Sequence, residues 1–245
     1  MGLMRNSALA AAIVATGFSA SASADYLYGF ANVSINRLDW TDKTENHAGK
    51  NDFTFLEIEG GAGFDWGEVY GFIDLENPHK SNNEGRTTTM KGTVRYNLGF
   101  AGLNLYGHIY DLNGAGFHEQ NRLLGVGFNY RNASFFFQPF LAVNNTESSN
   151  MGKTVSGFNG YVAGWVLGYS FNLMNQNFMF SNWNELEFDR DSQYVGGKTG
   201  VNGAAALWWN ANEKITLGLQ YRYADRKLGA ATYQDGFIYS LKYNF

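Results

Sequence analysis

The chain has 245 residues and no cysteine, which excludes a disulfide framework and any thiolate metal centre. Past residue 24 it has no apolar run approaching the roughly 20 residues that a membrane-spanning helix needs. Charged residues make up only 16% and there are 2 prolines, against 30 glycines and 17% aromatic residues. That is not the composition of an ordinary soluble enzyme. A net charge of −4 gives no electrostatic reason to expect nucleic acid or an anionic membrane surface as a partner. Mean hydropathy is negative, as alternation of apolar and polar residues would produce.

What is present begins with a leader. Met1 to Arg5 carries the early positive charge, Ala8 to Ala20 is small and apolar, and Ala22-Ser23-Ala24 is a small-x-small cleavage site. Residues 1–24 are therefore expected to be an export signal that is removed, leaving 25–245 as a single domain. The apolar part is too short to serve as a membrane anchor.

From Asp25 onward, alternating segments are separated by two kinds of connector. Short ones fall at Asp65 to Glu68, Gly99 to Gly102, Tyr130 to Ala133, Asn172 to Asn175 and Asn210 to Glu213. Long polar ones fall at Asp39 to Asn51, Asn77 to Arg86, Leu112 to Phe117, Asn144 to Val155, Arg190 to Lys198 and Ala224 to Gln234. This spacing predicts an all-β fold, a transmembrane antiparallel up-and-down β-barrel of about 12 strands with short periplasmic turns and long extracellular loops. Met90, Val94, Tyr96 and Leu98 oppose Lys91, Thr93, Arg95 and Asn97, and a strand puts such rows on opposite faces. Tyr161 to Phe171 alternates ring or aliphatic residues with small ones, read as lumen-facing. Residues 176–189 fit either phase, because Phe178 and Phe180 suggest one and Trp183 among asparagines the other. Aromatic residues gather near the short turns, as in the girdle of a membrane barrel. A soluble barrel with a greasy interior is the competing architecture, but it would leave Glu57, Glu59, Asp74, Glu76, Lys91, Arg95 and Arg222 together on one face.

The last strand, Asp235 to Phe245, has Phe237, Tyr239, Leu241, Tyr243 and Phe245 on one parity. A terminal aromatic residue on such a strand, here Phe245 with Tyr243 before it, is expected to act as the signal read by the outer-membrane assembly machinery. This strand should pair with Tyr26 to Asn36 and close the barrel, leaving no edge.

Short turns also set register. With Trp66-Gly67 as a two-residue loop, Glu59 faces Asp74 and Glu57 faces Glu76. With Phe100-Ala101 as the next, Arg95 faces Tyr106, Thr93 faces His108 and Lys91 faces Tyr110. One lumenal wall then holds Phe55, Glu57, Glu59, Phe72, Asp74, Glu76, Lys91, Arg95, Tyr106, His108 and Tyr110, with Arg222 on the same face elsewhere. Opposed carboxylates repel, so Lys91 and Arg95, water or a solute must offset them. Such a wall reads equally as a bracing ion-pair lattice or as a path lined by hydrogen-bonding groups and stacking rings.

Phe55-Leu-Glu-Ile-Glu59, Phe64-Asp-Trp66 and Tyr70-Gly-Phe-Ile-Asp74 resemble the E-x-E, D-W and Y-G-aromatic-x-D run of the Tsx/OmpK family of outer-membrane proteins. His108-Ile-Tyr-Asp-Leu112 and Tyr243-Asn-Phe245 resemble further segments of it, and the likeness is closest to the OmpK branch. The resemblance implies a monomeric channel in a Gram-negative outer membrane, set among lipid and lipopolysaccharide, that lets small solutes diffuse passively, with nucleosides as solutes of the Tsx members. It also implies a bacteriophage-receptor role for the long loops, either beside conduction or in place of it. Glu57, Glu59, Asp74, Tyr110 and Asp111 fall on its motifs. Parity puts Asp111 on the outer face or at the strand end.

Enzymatic chemistry finds no constellation. Three of the four histidines, His47, His79 and His118, lie in or beside predicted loops, and His108 faces Thr93 with no serine on its wall. Gly60, Gly61 and Gly63 have no following helix to make a phosphate cradle. Glu185, Glu187, Asp189 and Asp191 lack a calcium-ligand spacing. No cofactor or metal is expected.

Overall fold

The computed structural model describes residues 24–150, 153–191, 193–194 and 197–245. Nearly all of the expected export segment lies outside the described residues. Twelve antiparallel strands form one closed sheet: β1 (Tyr26–Trp40), β2 (Phe53–Phe64), β3 (Gly67–Glu76), β4 (Thr87–Asn97), β5 (Leu103–Gly114), β6 (Phe117–Phe128), β7 (Phe135–Asn150), β8 (Lys153–Leu173), β9 (Gln176–Phe188), β10 (Gly200–Asn210), β11 (Ile215–Asp225) and β12 (Tyr233–Asn244). Tyr130–Arg131 continues β6 past Asn129 and pairs with β7. Each strand pairs with its sequence neighbours, β1 with β12, and β6 with β7, so the ring has no free edge. A short helix, α1 (Asp42–Ala48), capped by Thr41, sits in the first external loop.

The outer face is not built for water. Leu124 is 67% exposed and Ile58 61%, whereas Asn104, Thr146 and Gln234 are fully enclosed. That inversion places lipid outside and polar groups inside, with every strand's backbone bonded to its neighbours. Rings collect at both rims. Tyr26, Phe64, Trp66 and Tyr96 form a chain of contacts at 5.4–6.3 Å near the short turns, and Tyr169, Phe171 and Phe178 another. Tyr161 with Phe188 and Tyr221 with Phe237 mark the external rim.

All five short turns lie where the spacing places them. Met174 and Asn175 both have positive φ, as a two-residue hairpin loop requires. Two of the six connectors expected to be long loops are strand instead. β5 runs to Gly114 and β6 starts at Phe117, so Leu112 to Phe117 is a tight hairpin tip. β7 runs to Asn150 and β8 starts at Lys153, so Asn144 to Val155 is mostly a projecting ribbon. The reason is that polar alternation continues above the membrane. Asp111 accepts from Asn113, His118 and Gln120 on the outer side, and Arg122 pairs with Glu147 at 2.8 Å. With 16 and 21 residues, β7 and β8 exceed the roughly 9–11 that cross a bilayer.

Register between β4 and β5 is as expected, with Arg95 opposite Tyr106, Thr93 opposite His108 and Lys91 opposite Tyr110. Register between β2 and β3 is two residues off the expectation. Glu57 faces Asp74, Glu59 faces Phe72 and Phe55 faces Glu76. The loop is Asp65-Trp66, not Trp66-Gly67. Gly67 has a φ of 154° and runs so close to the Arg95 carbonyl of β4 that no Cβ fits there, which fixes it as the first residue of the strand. A shift of two keeps every side chain on its face, so the wall survives with different partners.

β9 takes one phase throughout. Ser181, Trp183, Glu185 and Glu187 point inward, and Phe180, Leu186 and Phe188 outward. Asn182 and Asn184 also point outward and are satisfied locally. Trp165 Nε1 donates to Asn182 Oδ1 at 2.8 Å, Asn182 donates to the Ala204 carbonyl at 2.8 Å, and the Tyr223 hydroxyl donates to Asn184. These bonds explain how two amides stand on a lipid-facing side.

Candidate permeation path

The inward residues of β2 and β3 form an acidic wall. Glu57 and Asp74 stand directly opposite each other, flanked by Glu59 and Glu76. Among the described residues the cation paired with this group is Lys242 of β12, 2.7 Å from Glu59 and 3.9 Å from Glu57. Glu59 also accepts from Asn32 at 3.1 Å and Tyr70 at 2.8 Å. Ser34 donates to Glu57 at 3.2 Å, and Thr87 and Thr89 donate to Glu76. Asp74 Oδ1 and Asn32 Oδ1 are enclosed acceptors with no protein partner, which such groups rarely are.

Of the alternatives for offsetting the wall, neutralisation by Lys91 and Arg95 is not the one the structure shows. Lys91 reaches across the lumen to Glu185 on β9, 3.3 Å away, and its ammonium lies 5.8 Å from the Trp183 ring. Arg95 turns toward β7, donating to the Gln138 and Pro139 carbonyls at 3.0 and 3.4 Å, with its guanidinium over the Tyr106 ring. Lys242 takes the role because the intervening β1 presents only Asn32, Ser34 and Asn36 there.

The aromatic residues of the predicted wall divide. Tyr106 is 2% exposed and stacked on Phe140 at 4.2 Å, and Phe55 is buried with Leu38, Trp40 and Ile238. Neither presents a free face. His108 is buried, with Nδ1 3.0 Å from the Tyr106 hydroxyl, and Tyr110 lies beside it on β5, opposite Lys91. Phe72 remains half-buried beside Tyr70, which in turn meets Phe30 at 6.4 Å. Phe30, Tyr70 and Phe72 thus make an aromatic row at the periplasmic side of the acidic wall. Arg222 lies 4.8 Å from the Trp183 ring and donates to the Gly203 and Tyr223 carbonyls.

Several lining residues went unpredicted: Trp183, Glu185, Trp208 and the row partners Phe30 and Tyr70. The signal for β9 was available, since the turn at Met174-Asn175 puts Glu185 opposite Gly164, on the small-residue face of β8. Trp208 lies under Lys242 at 4.3 Å and donates to Ser181 at 2.8 Å.

At the external end of β12, β1 and β2, Leu38, Trp40, Phe53, Phe55 and Ile238 form a one-sided apolar cluster on which Leu228 of the last loop packs. Beside it, Lys227 pairs with Glu187 and with Glu119 at 3.6 Å, and Arg190 holds Glu187 at 2.9 Å. Burial works against the Lys227 ammonium, but Glu187, Tyr194 and Glu119 outweigh it and hold its pKa well above the usual lysine value. The Arg226–Leu228 backbone is unusual too, with φ of 50° at Arg226 and 55° at Leu228. At the periplasmic mouth a vestibule of about 1110 Å³ opens between Ser170, Gln176, Asn210 and Lys214.

A family model described as nucleoside-specific channel-forming protein, Tsx, matches residues 35–245. The chain belongs to the Tsx family. Its fold is also similar to that of the NanC porin, at 11% identity and a TM-score of 0.53, covering 88% of this chain and 100% of that one. A KdgM porin in complex with oligogalacturonate is similar at 8% identity and 0.50, covering 89% and 99%. A Tsx-family barrel of this kind is an outer-membrane channel for small solutes in a Gram-negative bacterium. The family is one of channels, not enzymes.

Proposed function

We propose that the channel passes nucleosides by passive diffusion, guided by the wall of β2 and β3. The observation that carries this reading is the juxtaposition of the Phe30, Tyr70 and Phe72 row with the carboxylates of Glu57, Glu59 and Asp74. Flat bases stack on rings. Ribose hydroxyls are donors, and carboxylates accept. The name of the family agrees with this chemistry.

Ion conductance of the purified protein in a planar bilayer, titrated with nucleosides and with sugars, tests it. Nucleosides should block current reversibly at concentrations where pentoses and hexoses do little. Equal effects of the two would remove the nucleoside reading. Glu57→Gln with Asp74→Asn should weaken the block and lower cation preference, whereas unchanged block and preference would leave the wall as bracing. Tyr243 and Phe245, which face outward with ring centroids 5.7 Å apart at the short-turn rim, are the proposed assembly signal. Phe245→Ala should lower the amount of folded protein in the outer membrane.

A further inference from the structure

The Lys91–Glu185 pair joins strands that are far apart in the ring. From β4 to β9 the path runs through β5, β6, β7 and β8 one way, and through β3, β2, β1, β12, β11 and β10 the other. An ion pair of 3.3 Å between them therefore spans the lumen. Trp183, next inward residue to Glu185, extends the crossing, with Lys91 and Arg222 both against its ring.

The two sides of this crossing differ in what fills them. On the β5–β8 side, Tyr106, Leu123, Phe140, Ala142 and Val162 pack as one cluster, none more than 7% exposed. Space left by the absent side chain of Gly164 is taken by the Phe140 ring, 2.6 Å from where a Cβ would stand. Side chains enclosed to that degree leave no passage for a solute. On the other side Tyr70, Phe72, Asp74, Gln220 and Trp208 keep partial exposure. The small residues behind them, Ser34, Ala204, Ala206 and Ser240, are buried, and the Trp208 ring lies over Gly218. Tight apolar packing on this side is confined to its external end, at Leu38, Trp40, Phe55 and Ile238.

We propose that solutes cross on one side of the lumen only, between β10–β12 and β1–β3, and that the Lys91–Glu185 and Trp183–Arg222 crossing is the partition that sets the width of that passage. Lys91, Trp183, Glu185 and Arg222 are thereby specificity-determining residues: they face the acidic wall across the passage and limit what fits between. The proposal rests on the channel reading. It deepens that reading by confining the path and naming the wall opposite the carboxylates.

A chain without cysteine allows a direct test. Gln220→Cys and Asp74→Cys are placed in the proposed passage, Leu123→Cys and Ala142→Cys in the packed side. Each folded variant is treated in detergent with a small cationic methanethiosulfonate, the mass gain is read, and current is recorded in a bilayer before and after. The first two should gain the adduct and lose current. The second two should stay unmodified. Adducts at Leu123→Cys and Ala142→Cys as fast as at Gln220→Cys, or none at Gln220→Cys and Asp74→Cys, would overturn the one-sided path. Lys91→Ala with Glu185→Ala removes both the charge pair and the bulk of the crossing and should raise single-channel conductance and admit larger sugars in liposome swelling. No change in either would sink the partition. Loss of nucleoside block with the labelling pattern intact would remove the nucleoside reading alone, because the labelling needs no nucleoside.

Discussion

Between β5 and β8 the inward residues include Tyr106, Leu123, Phe140, Ala142 and Val162, buried as one apolar cluster. Between β1 and β3 they include Glu57, Glu59, Asp74 and Glu76, held by hydroxyls, an amide and one lysine, with two acceptors left over. Both sets follow the same alternation and lie behind the same kind of lipid-facing surface. The difference teaches what a barrel interior can be asked to do. Apolar inward residues make a core that holds strands together, as in a soluble protein. Charged ones stand beside water or solute, because enclosing them unpaired is too unfavourable. Stability and conduction are thereby assigned to different arcs of one ring.

The largest effect is expected where the arcs meet, at the external end. Lys227→Ala strips Glu187 and Glu119 of their shared cation, and breaking a buried pair from one side costs about 3–5 kcal/mol. Urea unfolding in lipid or detergent should show that loss. The same change should loosen the neighbouring Leu228 on its apolar cluster and raise conductance. On the packed arc, Leu123→Ala should cost about 2–5 kcal/mol with single-channel conductance unaltered, and a changed conductance would break the division of labour. On the charged arc, Glu57→Gln with Asp74→Asn removes a directly opposed like-charge pair and should stabilise by about 0.2–1 kcal/mol while shifting the reversal potential in a salt gradient toward zero. A large destabilisation there would make the wall a brace.

The smallest effect is a pH dependence. Because the folded-state pKa of Lys227 is raised above its ordinary value of 10.5, its contribution is fully present below that pH and is lost as pH rises through the folded value. The stability difference between the native chain and Lys227→Gln should therefore stay constant across neutral and mildly alkaline pH and shrink only above 10.5. Shrinkage already near neutrality would mean that the ammonium is not held by Glu187 and Glu119.

Much of this was readable along the chain. The places of the short turns, at Asp65 to Glu68 and Asn172 to Asn175 among others, the pairing of the last strand with the first, and the inward parity of Glu57, Glu59, Asp74, Lys91 and Arg222 are legible from alternation with a period of two and from the polar breaks between alternating segments. The exact partners are not. Glu57 faces Asp74 and not Glu76 because Gly67 passes against the Arg95 carbonyl, a contact with β4 that a hairpin considered alone does not contain. Leu112 to Phe117 and Asn144 to Val155 read as loops because polar residues look alike in a loop and in a ribbon above the bilayer. Only cross-strand bonds such as Arg122 to Glu147 separate them.

The sequence by itself determined which solvent each residue meets, since side-chain direction along a strand is a local property and lipid and water select for opposite residue types. It determined the number of strands and the identity of the two ends for the same reason. The tertiary structure decided what each inward residue touches. Lys91 finds Glu185 and not Glu57, Arg95 finds the β7 carbonyls, and Lys242 becomes the cation of the acidic wall. Those pairings depend on which strands come to face one another when the ring closes, and on how far a long side chain reaches across it.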